Sequence, residues 1–579
     1  MAELTNAAIA AAFDELGDLY ELDGAVQYRV IAYRTAARTV RDAPVSVMGL
    51  VRAGRVTELP GIGKTLEEKL VALDQTGVIP AAEKLRAKFP PGLIAVMHLP
   101  GFGPKRARRL HDELGVDSLD ALRAAAARGE IRKLRGLGPK VEENLLRTLA
   151  EHDADGGPAP RILLSRALPV AEEVVGALRS HPAAERVEVA GSLRRLVDAV
   201  KDIDVIATAT DPAALGAALG ELELVEAVEA AGEAGARVST HAGMKIDLKV
   251  VAPDQFGNVL QHFTGSKAHN VALRESAVRR GLHVSEYGIL DDATGETLRC
   301  PAEEQVYERL GLPWIPPELR EGRGELEAAL PVLIELEDLR GDLHCHTTLS
   351  DGNQTAEEMA AAARERGLEY LAITDHSASH GFGNDVSPDA LARRIEEIHD
   401  LNARTEGIEV LIGTETNILP DGSPDYPDEL LAQLDWVIAS VHTSFQMDAG
   451  AMTDRMVAAI EHPLVDAIGH PTGRKITSRA PYGLDIERVI AAAARTGTMI
   501  EINSAPDRRD LDDVHARAAA EAGVRILVDS DAHSARSFEH LRYGIATARR
   551  AWLSAAQVAN TRPWAEFAPL RKRVSRASP

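Results

Sequence analysis

The chain has 579 residues, 45% hydrophobic and 26% charged, with a formal net charge of −23. That length implies several domains, each able to bury a core. No charged-then-apolar leader and no apolar run of about 18 residues is seen, which argues against secretion and a membrane span; the only cysteines, Cys300 and Cys345, are too far apart to suggest a disulfide framework and fit a reducing cytoplasm.

The acidic balance is uneven. Residues 1–150 carry 22 basic and 19 acidic side chains, a local +3, which leaves −26 for the remainder. Nucleic-acid binding depends on local basic surface rather than on total charge. Three similar segments lie in this first stretch: "LPGIGKTLEEKL" from Leu59, "LPGFGPKRARRL" from Leu99 and "LRGLGPKVEENL" from Leu134. Each reads as a Gly-x-Gly turn leading into an amphipathic helix. The glycines are Gly61 and Gly63, Gly101 and Gly103, Gly136 and Gly138. They allow a sharp turn and close backbone approach to a ligand. The free N–H groups of the following helix suit a phosphate. Lys64, Lys105, Arg106 and Lys140 add charge at those helix starts without reading bases. A helical solenoid is the alternative for repeats of about 35–40 residues. The Gly-x-Gly core resembles the helix-hairpin-helix, a sequence-independent clamp on the DNA backbone.

"EHDADGGPAP" from Glu151 reads as a linker. Then "RVEVAGSLRR" and "KDIDVIATAT" read as strand, turn, strand. The second places Asp202 and Asp204 on one strand face, and "MKIDLKV" supplies Asp247 on another strand. Three converging carboxylates repel one another without cations. Oxygen-only ligands suit two Mg²⁺, which clamp the attacking and leaving oxygens of a phosphoryl displacement. Gly191 and Ser192 form a tight turn able to hold a phosphate, with Arg194 and Arg195 beside it. "HFTGSKAHN" adds the planar His262 and the apolar Phe263 before a Thr264-Gly265-Ser266 turn.

In order and spacing, residues 1 to about 320 resemble DNA polymerase family X, of the nucleotidyltransferase fold; "YRVIAYRTAART" and "RRGLHVSEYGIL" belong to the same match. The resemblance implies that Asp202, Asp204 and Asp247 bind two Mg²⁺ or Mn²⁺, with Asp247 on the side that receives the primer 3′-hydroxyl proton. It implies triphosphate contacts at Gly191, Ser192 and Arg195. His262, Phe263 and Gly265 fall at the sugar-side wall, Asn270 at the incoming base and Arg274 at the template. His262 stands where the family usually shows Tyr, Lys267 where animal members show Asp, and Leu196 where they show Gly. Lys69 aligns with the family's Schiff-base lysine for 5′-deoxyribose-phosphate removal; a helix-surface lysine is the preferred reading.

A polar join, "PELREGRGELEAA" from Pro317, precedes short apolar strands alternating with Ala-rich helices: "YLAITDH", "IEVLIGTE", "DWVIASVH", "VDAIGH", "TMIEINS" and "VRILVDSDAH". Alternation of this kind implies a parallel, barrel-like sheet whose strand C-termini converge on one mouth. "GDLHCHTTLSDGN" opens the region from Gly341, and on a strand His344 and His346 face one way. Cys345 should face away as a buried filler. With Asp351, His376, Glu415, His442, His470, Asp531 and His533, nine candidate ligands sit almost entirely at strand ends. Mixed His and carboxylate ligands suit Mn²⁺, Zn²⁺ or Fe²⁺ and activate water at neutral pH. The set resembles the polymerase-and-histidinol-phosphatase (PHP) family, a distorted (β/α)₇ barrel with up to three metals, whose chemistry is phosphoester hydrolysis. The tail "PLRKRVSRASP" is expected to be disordered.

The expected fold is therefore multidomain α and α/β: a helical DNA-binding, lyase-like domain over 1–90, helix-hairpin-helix fingers over 91–155, a nucleotidyltransferase palm and thumb over 156–320, a linker over 321–338 and a PHP barrel over 339–579. Gapped or nicked double-stranded DNA and dNTPs are the expected partners of a monomer in the cytoplasm, at the nucleoid, with no membrane contact. The leading expectation is a gap-filling repair polymerase with a metal-dependent 3′→5′ exonuclease, with abasic-site incision or 3′-phosphodiesterase activity as possible additions. A polymerase joined to a small-molecule phosphatase or pyrophosphatase, and a non-enzymatic scaffold bridging DNA ends, are the alternatives.

Overall fold

The computed structural model describes residues 4–99, 102–134, 137–138, 141–143, 145–146, 149, 161–381 and 384–572. The chain folds as two compact units. One holds residues 1–160, 174–187 and 207–250; the other holds 161–173, 188–206 and 251–579. No described helix is long and apolar enough to cross a membrane.

The first unit begins with a helical array. Helix Asn6–Leu22 starts where the Thr5 side chain accepts from Ala8 N, and it buries Ile9, Phe13 and Leu16 at helical spacing. Gln27–Asp42 packs beside it and buries Tyr33, Ala36, Ala37 and Val40. The Gly-x-Gly turns follow one design. Their middle residues Ile62, Phe102 and Leu137 are buried, while Lys64, Lys105 and Arg106 are exposed. Gly61 (φ +79°) and Gly103 (φ +53°) take left-handed conformations, and helices Lys64–Thr76 and Gly103–Leu114 follow them. Gly138 accepts from Val141 and Glu142 N–H as the third helix starts. Gly101, Gly136 and Lys140 lie outside the described residues.

The positive φ at Gly61 and Gly103 makes a test. A β-branched residue there costs about 1–2 kcal/mol each and moves the turn backbone. Gly61→Val with Gly103→Val is expected to weaken binding of a nicked duplex by about tenfold or more. The slope of log affinity against log salt should fall by about 1–2 as phosphate contacts are lost. Fluorescence anisotropy across a salt series checks this, and unchanged affinity rejects the clamp.

The middle of the chain supplies strands β1 Ala184–Val189, β2 Ile203–Ala209, β3 Val225–Gly232, β4 Gly235–Thr240 and β5 Lys245–Val250. In the first unit β3, β4 and β5 are antiparallel, and their register sets Arg237 opposite Asp247.

In the second unit, helices Phe256–Thr264 and Lys267–Val278 precede the hairpin of Leu282–Ser285 and Gly288–Asp291. Then come seven parallel strands in sequential order: β6 Gly341–Cys345, β7 Tyr370–Ile373, β8 Glu409–Asn417, β9 Trp436–Ser440, β10 Ala467–Ile468, β11 Met499–Asn503 and β12 Ile526–Asp529. A parallel bridge from Cys345 to Ala532 joins the ends into a nearly closed barrel. Strand residues alternate between two buried faces. Leu343, Tyr370, Ala372, Leu411, Trp436, Ile438 and Leu527 form one cluster. Cys345, Leu371, Ile373, Val410, Ile412, Val437 and Val528 pack in a second cluster, with residues of the helices between strands. Burial on both faces explains why these strands read as continuous apolar runs. Cys345 is a buried thiol, donating to Ala372 O at 3.3 Å.

Two stretches expected to be loose are packed. The join at 321–338 buries Glu325, Leu333 and Ile334, with His269 Nδ1 2.7 Å from Glu325 Oε1. The start of the basic tail is also anchored. Lys572 N donates to Asp466 Oδ1 at 3.0 Å and its Nζ to Thr498 Oγ1 at 2.9 Å. A buried ammonium supplied with hydrogen bonds is a fixed point, which tail composition does not reveal. The linker at 151–160 and the tail beyond 572 lie outside the described residues.

Candidate active sites

Asp204 is the second residue of β2, and Asp202 directly precedes that strand. Both are half-buried. The one-turn helix Gly191–Arg194 lies against Asp204. Ala190 N donates to Asp204 O at 2.8 Å. Gly191 has φ +65°, and a Cβ there would stand 2.1 Å from Asp204 Oδ2. The missing side chain lets the turn's backbone and the carboxylate share one space. Asp247 stands on β5, where Arg237 Nη2 lies 2.6 Å from its Oδ2 and offsets its charge.

Ser192 follows Gly191 in the turn, and Arg195 closes it. Arg195 Nε donates to Glu321 Oε1 at 3.0 Å and Nη1 to Thr264 O at 2.5 Å. Arg194 donates to both Glu303 oxygens, at 2.8 and 2.9 Å. Burial alone would raise the Glu303 carboxyl, but the Arg320 and Arg194 guanidiniums hold it at about 2. Leu196 adopts φ +54°, a conformation costing a non-glycine residue about 1–2 kcal/mol. His262 and Phe263 end their helix with ring centroids 5.4 Å apart. Gly265, at φ +67°, terminates it. Asn270 Nδ2 donates to His262 O at 2.8 Å and its Oδ1 accepts from Gln261 at 2.9 Å, so the amide fixes the helix end. Arg274 Nη2 is 3.5 Å from His262 Nδ1. The structure thus gathers Arg195, His262, Phe263, Gly265, Asn270 and Arg274 in the second unit. Lys69, in the first, is half-buried with Nζ 6.0 Å from the Tyr33 ring. Burial and Tyr20 push the Tyr33 hydroxyl up to about 12.

The nine residues singled out in the last region converge at the C-terminal ends of the barrel strands. Glu415 is their hub. Its Oε1 is 2.9 Å from His470 Nε2, 3.2 Å from His442 Nε2 and 3.4 Å from His344 Nε2; its Oε2 is 2.8 Å from His376 Nδ1 and 3.6 Å from His346 Nε2. Asp531 Oδ1 is 3.2 Å from His346 Nε2 and 3.7 Å from His344 Nε2. Asp351 Oδ2 is 3.3 Å from His533 Nε2 and 3.7 Å from His376 Nε2. Three overlapping sets offer ligand atoms within 4.8 Å of one another: His346, Asp351, His376 and His533; His344, His346 and Asp531; His376, Glu415 and His442. Asp531 reaches inward from φ +52° and His470 from φ +28°.

The chemistry of this donor set fits bound cations. Among the described residues, His344 Nε2, both ring nitrogens of His346, and Glu415 Oε2 are buried without a well-aligned hydrogen bond, despite the close rings and carboxylates around them. Uncompensated polar atoms of that number are costly unless something binds them. Burial drives His470 down to about 3, reinforced by Arg508, and drives His346 to about 4, reinforced by His533 and His376. These rings are held neutral, the form that binds metal. Burial also opposes protonation of His533, yet Asp351 and Asp531 raise it to about 9. Glu415 and Asp531 stay ionised against burial because histidines surround them.

Three further residues belong here that the sequence does not single out. Glu501 on β11 accepts from His344 Nδ1 at 2.6 Å, orienting that ring, and from the backbone N–H of His470 at 2.6 Å, fixing its main chain. His380 stacks on His376 with centroids 4.4 Å apart, its Nδ1 2.7 Å from Asp385 Oδ1. Arg508 Nε lies 3.7 Å from Asp531 Oδ2. An interior-facing carboxylate in an apolar strand was the available signal for Glu501. His380 and Arg508 sit in loops without a periodic pattern. Beyond His470, a cleft of about 420 Å³ is lined by Lys475 and Arg479, and Arg479 covers the Phe445 ring at 4.5 Å.

Four family descriptions match along the chain: a helix-hairpin-helix domain at residues 4–79, a SAM-like helix-hairpin-helix tandem at 93–151, a DNA polymerase beta thumb at 259–321 and a PHP domain at 342–505. The DNA polymerase/3′-5′ exonuclease PolX of Bacillus subtilis is 37% identical over 557 residues, covering 96% of this chain and 97% of that protein. Over a shorter stretch of 203 residues, a probable phosphatase of Caldanaerobacter subterraneus is 37% identical across 33% of this chain and 75% of its own length. A probable phosphatase of Shewanella sediminis is 30% identical across 40% of this chain and 94% of its own. With helix-hairpin-helix, thumb and PHP segments in one order along a full-length match, the chain belongs to the family X DNA polymerases that carry a C-terminal PHP domain.

Proposed function

We propose that the chain fills short gaps in DNA during repair and trims 3′ ends by metal-dependent hydrolysis in the barrel. What carries the reading is that both residue sets are complete in one chain: the aspartates with their Gly191-Ser192 turn, and the Glu415-centred cluster. Asp202, Asp204 and Asp247 would hold two Mg²⁺ or Mn²⁺, which neutralise charge on the triphosphate. Asp247 receives the proton of the primer 3′-hydroxyl. Ser192 and the Gly191 backbone seat a phosphate, and Phe263 and Gly265 wall the sugar. In the barrel, up to three Mn²⁺, Zn²⁺ or Fe²⁺ would supply an activated water. His344, His346, Asp351, His376, Glu415, His442, His470, Asp531 and His533 hold them, and Glu501 keeps His344 in place.

Arg508 adds a donor beside that cluster. We assign it to a non-bridging oxygen of the scissile phosphate, since a guanidinium at an acidic site balances the incoming anion. Arg508→Ala is expected to lower 3′ trimming by about a hundredfold, or ~2.7 kcal/mol, with cluster metal content unchanged by elemental analysis. Trimming at the wild-type rate rejects this role.

The phosphatase names of the barrel's relatives favour a second reading, a barrel that hydrolyses small phosphate esters or pyrophosphate. A labelled gapped duplex with Mg²⁺ or Mn²⁺, with and without dNTPs, separates the two. Extension with dNTPs and shortening without them support the first. Phosphate release from nucleotides or pyrophosphate without shortening supports the second.

A further inference from the structure

Residue Leu196 stands in a left-handed conformation within the polymerase's nucleotide turn, at φ +54°. Its partners come from the barrel. The fully buried Arg509 donates from Nη2 to Leu196 O at 3.1 Å, and its Nη1 lies 3.1 Å from Asp198 Oδ1. Arg474 Nη2 lies 2.9 Å from the other Asp198 oxygen. Arg550 Nη1 donates to Arg195 O and to Glu321 Oε1, both at 2.8 Å, and its Nη2 is 2.9 Å from Asp513. Three arginines from the barrel half of the chain therefore reach residues 195–198.

These arginines are themselves fixed. Arg509 Nε donates to Thr547 Oγ1 at 2.8 Å, and Arg474 donates to Arg509 O. The next residue, Asp510, accepts from Thr472 N at 3.0 Å and Thr472 Oγ1 at 2.9 Å, two residues beyond His470. The anchor is rooted in the layer that supports the metal cluster.

We propose that the barrel completes the polymerase site: Arg509, with Arg474 and Arg550, sets the turn that presents Ser192 and the Gly191 backbone to the incoming triphosphate. Arg509 is thus a positioning residue for nucleotide addition, held by the domain that performs hydrolysis. The inference rests on the reading of Gly191-Ser192 as the phosphate seat. Its chemistry is ordinary. A guanidinium fork fixes a carbonyl and a carboxylate two residues apart, which holds a left-handed leucine that would otherwise relax. Where glycine occupies this position, no such clamp is needed.

The test uses the full-length protein and single-nucleotide gap filling, with kcat and KM for dNTP measured separately and DNA affinity measured by anisotropy. Arg509→Met is expected to raise KM for dNTP about tenfold with DNA affinity unchanged. Arg509→Lys should recover part of the loss, because one ammonium reaches only one of the two oxygens. Leu196→Gly placed in the Arg509→Met background should recover KM several-fold, since glycine takes the turn conformation unaided. A purely structural role would instead lower melting temperature and active fraction with KM unchanged, and that result overturns the proposal. If Arg509→Met does not fold, Asp198→Asn carries the test, with a several-fold rise in KM expected and an unchanged KM overturning the idea. Ser192→Ala separates the two failures. If it raises KM while the anchor variants do not, the anchor is wrong; if it too leaves KM unchanged, the phosphate seat itself is misassigned.

Discussion

Asp204→Ala is expected to abolish dNTP-dependent extension of a gapped primer, by at least about a thousandfold or ~4 kcal/mol, while 3′ trimming continues. The argument starts from Gly191. A Cβ at that position would sit 2.1 Å from Asp204 Oδ2, so the fold reserves the space for this carboxylate. The main chain around Asp204 is held independently, through Ala190 N to Asp204 O, and alanine keeps that bond. The substitution therefore removes a negative oxygen ligand at little structural cost, and circular dichroism should show no loss of fold. Asp247 has its own partner in Arg237, 2.6 Å away, which the substitution leaves in place. Primer extension by the single variant, beside trimming without dNTPs, is the measurement. Extension near the wild-type rate would sink the aspartate assignment.

Much of this arrangement is legible in the sequence, and the legible parts share a physical cause. A strand buried on both faces has to be a short apolar run, so "YLAI", "WVIAS" and "MIEIN" announce barrel strands β7, β9 and β11. Polar residues directly after such runs have nowhere to point except the mouth, which is why nine candidate ligands can be named in advance. The Gly-x-Gly turns are legible for a similar reason: Gly61 and Gly103 sit at φ values that other residues avoid. The missed elements lack such constraints. β3 carries Glu226, Glu229 and exposed Val228, so it shows no clean alternation, and its hairpin with β4 leaves no local signal. The 321–338 stretch looks polar enough for a linker, yet Glu325 is buried because His269, 56 residues earlier, meets it. Arg508 and Arg509 are adjacent in a loop and reach different partners, Asp531 and Leu196. Only tertiary contacts distinguish them, and local pattern holds no record of those.

Glu415→Gln is the converse experiment on the barrel. It is expected to remove 3′ trimming by at least about a thousandfold and to leave gap filling on its separate aspartates. Glutamine matches glutamate in shape, so the change isolates charge at the hub of five histidines. Burial already disfavours the Glu415 carboxylate, and the His442, His344 and His376 rings hold it ionised. Against burial, Glu501 and then this same carboxylate raise His344, and this carboxylate raises His376. Without it those rings lose a proton-stabilising charge, and bound cations lose an anionic ligand shared between them. Bound metal, counted by elemental analysis, should fall. Chelation should lower the melting temperature of the unaltered protein more than that of the variant, because a ligand that binds only the folded state stabilises it in proportion to its affinity. Retained trimming with full metal content would mean that Glu415 is a structural core residue and that hydrolysis takes place elsewhere. Lost metal with retained trimming would mean that the cations serve stability alone.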